Sequence, residues 1–208
     1  MSSFDNETVD LFHRLYKQSN ETKDGPPRAY WKGYECVKCP LDLWVYQEII
    51  YELRPEVIVE GGTCSGGTTL FLADVMDMFE ILPGRIITID WDRDDRRPRH
   101  ERITQVVGNT LHEDTVSAVE GLVAGLSPLM LILDDGHSHE HVYEELTKYG
   151  PLLSAGDYLV VEDTDLGGPL WGLDKWLAEQ DPERFVRDFS RERFLMTQNP
   201  KGYIKCVA

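Results

Sequence analysis

Positive charge is scarce in this chain. Among its 208 residues, 21 Lys and Arg stand against 37 Asp and Glu, for a formal net charge of −16. A surface this acidic repels phosphate backbones, so no nucleic-acid partner is expected. Long apolar runs are missing. None approaches the roughly 20 residues that span a bilayer, so no membrane partner is expected. The stretch Met1–Asp10 is polar and acidic and shows no pattern of a secretory leader, which points to a cytoplasmic protein. Cysteine is also rare. Cys36 and Cys39 have C-x-x-C spacing, but no second pair stands at a zinc-binding distance. They lie in a stretch rich in Pro and Gly rather than at a strand–helix junction, which reads as an incidental pair in a reducing compartment. The nucleotide signatures are absent too. The glycine-rich turn after Val57 is neither G-x-G-x-x-G nor a P-loop.

What is present is a regular alternation of short apolar runs and helical patterns, which fits one domain of ordinary size. Residues 4–16 read as a short amphipathic helix. Residues 17–40 lack periodicity, and their aromatics Tyr30, Trp31 and Tyr34 suggest a flap over a site. Asp42 is placed to cap a helix that runs to Arg54 and stops at Pro55. Strands follow at Val57–Glu60, Arg85–Asp90, Ile103–Val107, Leu129–Leu133 and Tyr158–Val161. Helices are expected at Thr68–Phe79, Leu111–Ala124, His139–Tyr149 and Leu173–Gln180. Two last strands, Phe185–Phe189 and Tyr203–Val207, flank the turn residues Asn199-Pro-Lys-Gly202 and should pair as an antiparallel hairpin. Continuous apolar strands between helices predict an α/β fold: a mostly parallel, seven-stranded Rossmann-like sheet with helices on both faces. The division expected is an N-terminal helix and flap-like loop at 1–41, then the main domain at 42–208.

The chemistry gathers at strand ends. Leu131-Ile-Leu-Asp-Asp-Gly-His-Ser-His-Glu-His141 empties a strand into two carboxylates and three imidazoles. Val161-Glu-Asp163 ends another strand in two more acids. Parallel strands deliver their carboxyl ends to one rim. There Asp134, Glu162 and Asp163 can hold a hard divalent cation, with His137 beside it as a base. The i, i+4 pair His137 and His141 resembles some zinc sites, but that choice leaves Glu162 and Asp163 without a role.

The turn Glu60-Gly-Gly-Thr-Cys-Ser-Gly-Gly-Thr68 leads from strand to helix, where backbone amides favour an anionic group. Glu60 suits a cationic one. S-adenosylmethionine carries both an ammonium and a carboxylate, so it fits a turn made of Glu60, Gly61, Gly62, Thr63, Ser65, Gly66 and Thr68. Asp90, followed by Trp91, can accept from ribose hydroxyls. Asn109 ends the third strand within reach of an adenine, and Asp134 borders the same rim. The G-x-C-x-G string at Gly62–Gly66 imitates a nucleophile elbow. That fold needs a late histidine, and none follows His141. The Arg-rich run Arg93–Arg102 is interleaved with acids and reads as a solvated face. Gly167–Gly172, with Trp171, reads as an acceptor-shaping loop.

These pieces resemble the cephalosporin hydroxylase-type methyltransferases, which include metal-dependent sugar O-methyltransferases of antibiotic biosynthesis. The resemblance rests on Lys38-Cys-Pro-Leu-Asp-Leu-Trp-Val-Tyr-Gln47, Glu60–Thr68, Ile89-Asp90, Gly108-Asn109, Leu133–His141, Val161-Glu-Asp-Thr164 and Asn199-Pro-Lys-Gly-Tyr203. It implies a class I fold, Mg2+ on Asp134, Glu162 and Asp163, and a catalytic base at His137. It further implies methyl transfer from S-adenosylmethionine to a hydroxyl of a small metabolite, and a homo-oligomer. The chain departs from the family at Cys64, which stands where the cofactor turn usually has glycine. The competing expectation is a non-catalytic protein that binds S-adenosylmethionine as a partner within a biosynthetic pathway.

Overall fold

From Val57 onward, β-strands of period two alternate with helices, and the result is one twisted sheet covered on both sides. The computed structural model describes residues 6–20 and 29–208. Its elements are α1 (Asn6–Asn20), β1 (Ala29–Trp31), β2 (Tyr34–Cys36), α2 (Pro40–Leu53), β3 (Val57–Gly61), α3 (Gly67–Met78), β4 (Arg85–Asp90) and β5 (Ile103–Val107). Then come α4 (Glu113–Val123), β6 (Leu129–Leu133), α5 (His139–Tyr149), β7 (Tyr158–Val161), α6 (Gly168–Ala178), β8 (Phe185–Arg187) and β9 (Tyr203–Cys206). The seven-stranded sheet has the order β5-β4-β3-β6-β7-β9-β8. Its strands are parallel except β9, which runs antiparallel to both neighbours. The expected Rossmann-like, mostly parallel seven-stranded sheet is therefore present, closing antiparallel pair included.

Each strand sends alternate side chains to opposite faces. On one face Leu131, Leu133, Leu159 and Val161 pack beneath Val119, Leu146 and Trp176 of α4, α5 and α6. On the other, Ile58, Met130, Ile132 and Val160 pack beneath Tyr46, Ile50, Leu72 and Met76 of α2 and α3. Full burial of such a side chain contributes about 1.5–3 kcal/mol. Both cores are continuous, so the sheet is a rigid base for whatever its rim carries.

Several expectations shift in detail. Asp42 does not cap α2. Pro40 opens the helix, Cys39 is the N-cap, and Asp42 falls within the first turn. Proline tolerates that first position because its missing N–H would have no partner there. The Asp42 carboxylate instead accepts from the Gln198 amide (2.9 Å) and the Tyr203 hydroxyl (2.9 Å), tying α2 to the end of the chain. Gly167–Gly172 is not a free loop. Pro169 starts a helix, so α6 begins five residues before the expected Leu173. Part of the expected 17–40 loop is ordered as the β1–β2 hairpin, and residues 21–28 of the flap lie outside the described residues. Trp31 of that hairpin lies edge-on against Phe71 of α3, at 5.1 Å between centroids, and donates to Asp74 at 2.6 Å. The link from β8 to β9 is longer than a turn and includes a 3-10 helix at Phe189–Glu192.

Asp188, buried just beyond β8, is the hub of that link. It accepts from Ser190 (2.5 Å), Lys205 (3.0 Å), Tyr158 (3.1 Å) and Arg191 (3.1 Å). Burial pushes its carboxyl up, but the Ser190 and Lys205 contacts outweigh that and hold it at about 2, below the ordinary 3.8. A depressed carboxyl stabilises the fold above its unfolded value and loses that contribution as pH falls through the folded one. Asp188 is thus expected to contribute about 2 kcal/mol at neutral pH, lost between roughly pH 4 and 2. Urea titrations of Asp188→Asn should show that deficit at pH 7 and a shallower acid limb. Equal stability of variant and wild type at pH 7 would contradict it.

Candidate active site at the carboxyl rim of the sheet

Strand register sets the site. Gly61 pairs with Leu133, and Leu133 with Val161, so three neighbouring strands end level. The next residues stay in step: the Asp134 amide donates to Gly61 (3.1 Å) and the Glu162 amide to Leu133 (3.0 Å). Gly62, Asp134 and Glu162 therefore leave the sheet side by side where the strand order reverses, the usual ligand crevice of such folds. The rim is tight. A Cβ at Gly62 would stand 2.4 Å from the Asp134 carbonyl oxygen, and the residue has φ +89°, so only glycine fits.

Asp134, His137 and Asp163 come together, with one ligand atom of each within 4.8 Å of the others. His137 Nε2 lies 2.7 Å from Asp163 Oδ2. The imidazole is half exposed, and the bond to Asp163 raises its basicity above the ordinary value against the opposing effect of burial. Asp163 has φ +52°, which aims its side chain back at the β6 loop, and its amide donates to Asn199 Oδ1 at 3.0 Å. Glu162 is placed differently. Its carboxylate is buried, with one oxygen accepting from the Tyr46 hydroxyl and the other 2.7 Å from Lys38 Nζ. The same ammonium pairs with Asp134. Burial alone would depress the Lys38 ammonium, but Asp134 and Glu162 hold it protonated, above the usual lysine range. A buried cation clamped between two acids shows that this basin demands positive charge. The oxygen donors Asp134 and Asp163, open toward the rim beside it, fit a hard divalent ion.

The glycine-rich turn flanks this basin. Glu60 is not open at the rim. It is 2% exposed and accepts from Thr69 (2.5 Å) and Thr88 (2.6 Å), and burial raises its carboxyl to about 7 despite those bonds. Thr63 is likewise buried and shares a hydrogen bond with Thr88 (2.6 Å). Gly61, Gly66 and Thr68 are buried within the turn and the start of α3, while Ser65 is only partly covered. Cys64 adopts φ +48°, a conformation that favours glycine, and its amide donates to Asp90 Oδ2 at 2.8 Å. Arg97 clamps the arrangement from the charged loop. It is buried, donates to the Cys64 carbonyl (2.6 Å) and pairs with Asp90 Oδ2 (2.8 Å) and Asp92 (2.7 Å). Asp90 Oδ1 has only a 3.4 Å contact with the Asp92 amide, so one oxygen remains to accept from a ligand hydroxyl. Trp91 and Asn109 are both exposed. The open Asp90 oxygen fits a ribose hydroxyl of a nucleoside.

Helix α6 closes the far side. A Cβ at Gly168 would meet the His137 carbonyl oxygen at 2.3 Å, so glycine lets α6 dock on the histidine loop. Trp171 is exposed and meets His139 edge-on at 5.0 Å.

Residues 27–207 match the family model described as rhamnosyl O-methyltransferase/CmcI. The chain belongs to that family. Curated relatives of the chain are named rhamnosyl O-methyltransferase. The protein of Mycobacterium leprae is 34% identical over 191 residues, which cover 84% of this chain and 81% of the relative. That of Mycobacterium tuberculosis is 32% identical, covering 85% and 78%. Among solved structures, CmcI with Mg and SAM aligns with a TM-score of 0.70 at 23% identity, covering 93% of this chain and 84% of that one. The O-methyltransferase TomG from Streptomyces achromogenes, in complex with SAM, aligns at 0.58 and 18% identity, covering 99% and 92%. Both show the fold of the rhamnosyl O-methyltransferase/CmcI member described here.

Lys38, Tyr46, Arg97 and Asn199 were not among the expected site residues. Lys38, Tyr46 and Asn199 sit inside the motif strings that carry the resemblance, and that is their only sequence signal. Arg97 was hidden in a run whose other arginines, Arg93 and Arg96, pair with Asp95 and Asp94 at the surface. Cys36, Cys39, Cys64 and Cys206 form no disulfide. Among the described residues, no helix is long and apolar enough to cross a membrane.

Proposed function

We propose that this chain moves the methyl group of S-adenosylmethionine to a hydroxyl of a small hydroxylated metabolite, a sugar or a natural product, with Mg2+ bound at the rim. The observation that carries this reading is the convergence of Asp134, His137 and Asp163 beside the glycine-rich turn. The rhamnosyl acceptor in the names of the mycobacterial relatives and the Mg and SAM of the CmcI structure support it. Asp134, Glu162 and Asp163 are the residues to hold Mg2+, with Asp134 and Asp163 facing the rim and Glu162 sharing Lys38 with Asp134. When bound, Mg2+ supplies Lewis acidity to the acceptor hydroxyl.

The remaining work falls to the chain. Asp90, Trp91 and Asn109 bind and orient the nucleoside, and the turn from Gly61 to Thr68 seats the amino-acid end with Glu60 bracing it from below. His137 Nε2 is held by Asp163, which leaves Nδ1 to take the acceptor proton. Residues 42–208 form the methyltransferase domain. Residues 1–41 are the N-terminal appendage, whose described part, α1 and the β1–β2 hairpin, leads into Lys38. Exposed Leu11, Phe12 and Leu15 on α1 support a homo-oligomer, which light scattering would read. A cytoplasmic enzyme of antibiotic-type biosynthesis is consistent with the acidic surface and reduced thiols.

The test is transfer of labelled methyl to a panel of sugars and catechols. Chelation with EDTA is expected to lower transfer by at least about 10²-fold, and added Mg2+ to restore it. Transfer that is indifferent to EDTA defeats the metal role. Binding of S-adenosylhomocysteine without any transfer favours the non-catalytic partner.

A further inference from the structure

A second group of potential ligands joins Asp135 of the β6–α5 loop to His141 and Glu145 of α5. Asp135 Oδ1 is 2.6 Å from His141 Nε2, and His141 Nε2 is 3.7 Å from Glu145 Oε2. One ligand atom from each residue lies within 4.8 Å of the others. Glu145 is the unusual member. It is fully buried, and neither carboxylate oxygen has a hydrogen-bond partner. Its Oε1 sits beside Gly61 of the glycine-rich turn, and its other oxygen faces Asp135 and His141. A buried carboxylate whose nearest cationic group is the His141 imidazole, at 3.7 Å, is costly, so the site is short of a positive group.

We infer that Asp135, His141 and Glu145 form a second divalent-cation site, separate from the Asp134–His137–Asp163 basin. Two carboxylates and a neutral imidazole supply two negative charges, matching a dication. An imidazole donor favours Mn2+, Co2+ or Zn2+ over Mg2+. The outer shell is already built. Thr110 donates to Asp135 Oδ2 at 2.5 Å, fixing the carboxylate with Oδ1 toward His141, and Tyr149 donates to the Thr110 carbonyl at 2.9 Å. Such supports orient metal ligands. Asp135 and His141 keep about a fifth of their side-chain surface open, which provides the entry path. Burial, with Asp135 adding to it, pushes the Glu145 carboxyl well above its usual range, and a bound dication relieves both effects. A cation here would cross-link the β6–α5 loop, which carries Asp134 and His137, to helix α5, where Glu145 Oε1 lies beside Gly61.

The experiment counts ions in an Asp163→Asn background, which weakens the first basin. Mn2+ is titrated by electron paramagnetic resonance and Zn2+ by calorimetry. One tight ion per chain is expected in that background. Adding Glu145→Gln, nearly isosteric and uncharged, should weaken it at least tenfold, and His141→Ala should do the same. Co2+ should give visible bands that shift when His141 is replaced. Thermal unfolding with S-adenosylhomocysteine confirms that each variant is folded and binds nucleoside. If Glu145→Gln does not fold, His141→Ala decides. No bound ion in the background protein, or an ion whose affinity ignores both Glu145→Gln and His141→Ala, overturns the second site.

Discussion

His137→Ala is expected to lower turnover by about 10²–10⁴-fold, the usual worth of a general base, while S-adenosylmethionine still binds. A neutral alcohol is a weak nucleophile near pH 7, so loss of its proton must be assisted as the carbon–oxygen bond forms. His137 is the imidazole in the basin, and its 2.7 Å bond to Asp163 fixes the ring and strengthens it as a base. His139 turns instead to Trp171, and His141 to Asp135. The cofactor turn lies on β3 and α3 and makes no hydrogen bond to His137, so cofactor affinity should hold. The measurement pairs single-turnover methyl transfer with calorimetric binding of S-adenosylhomocysteine. Wild-type turnover in the variant removes His137 from the mechanism. Loss of cofactor affinity in step with turnover would instead make it a binding residue.

Lys38→Met should cost the metal-free protein about 3–5 kcal/mol, the range for breaking a buried ion pair from one side. The Lys38 side chain is 3% exposed and Glu162 2%, so neither finds water when the partner is removed. Methionine keeps most of the volume, which separates lost charge from a cavity. Two acids would then face each other, Asp134 and Glu162, with only the Tyr46 hydroxyl in support. Mg2+ should recover part of the deficit, since binding to the folded state alone adds stability by mass action. Urea unfolding with and without Mg2+ reads both effects. A deficit below about 1 kcal/mol would mean that the acids are neutral in the resting protein and that the ammonium is not their counter-charge.

Much of this architecture was legible in the chain. Leu129–Leu133 and Tyr158–Val161 are continuous apolar runs that only a doubly covered strand can bury, and each ends abruptly in acids. That pattern by itself points to Asp134, His137, Glu162 and Asp163. Local punctuation was less reliable. Asp42 had the chemistry of a cap, but Pro40 opened the helix first. The glycines at 167 and 168 have the look of a loop, yet Gly168 lets α6 press on the backbone of His137 and Gly167 takes a φ of +88°.

The amino-acid sequence by itself determined the sheet, its helical covers and the acidic rim, because hydrophobic period and strand-end chemistry are local properties. Only the tertiary structure decided that Lys38, nearly 100 residues before Asp134, lies between that acid and Glu162. It also decided that Arg97 turns inward to Asp90 while its neighbours face water, and that Glu145 is buried beside His141. Partnerships of charged groups depend on which segments meet across the fold, and no local pattern records that meeting.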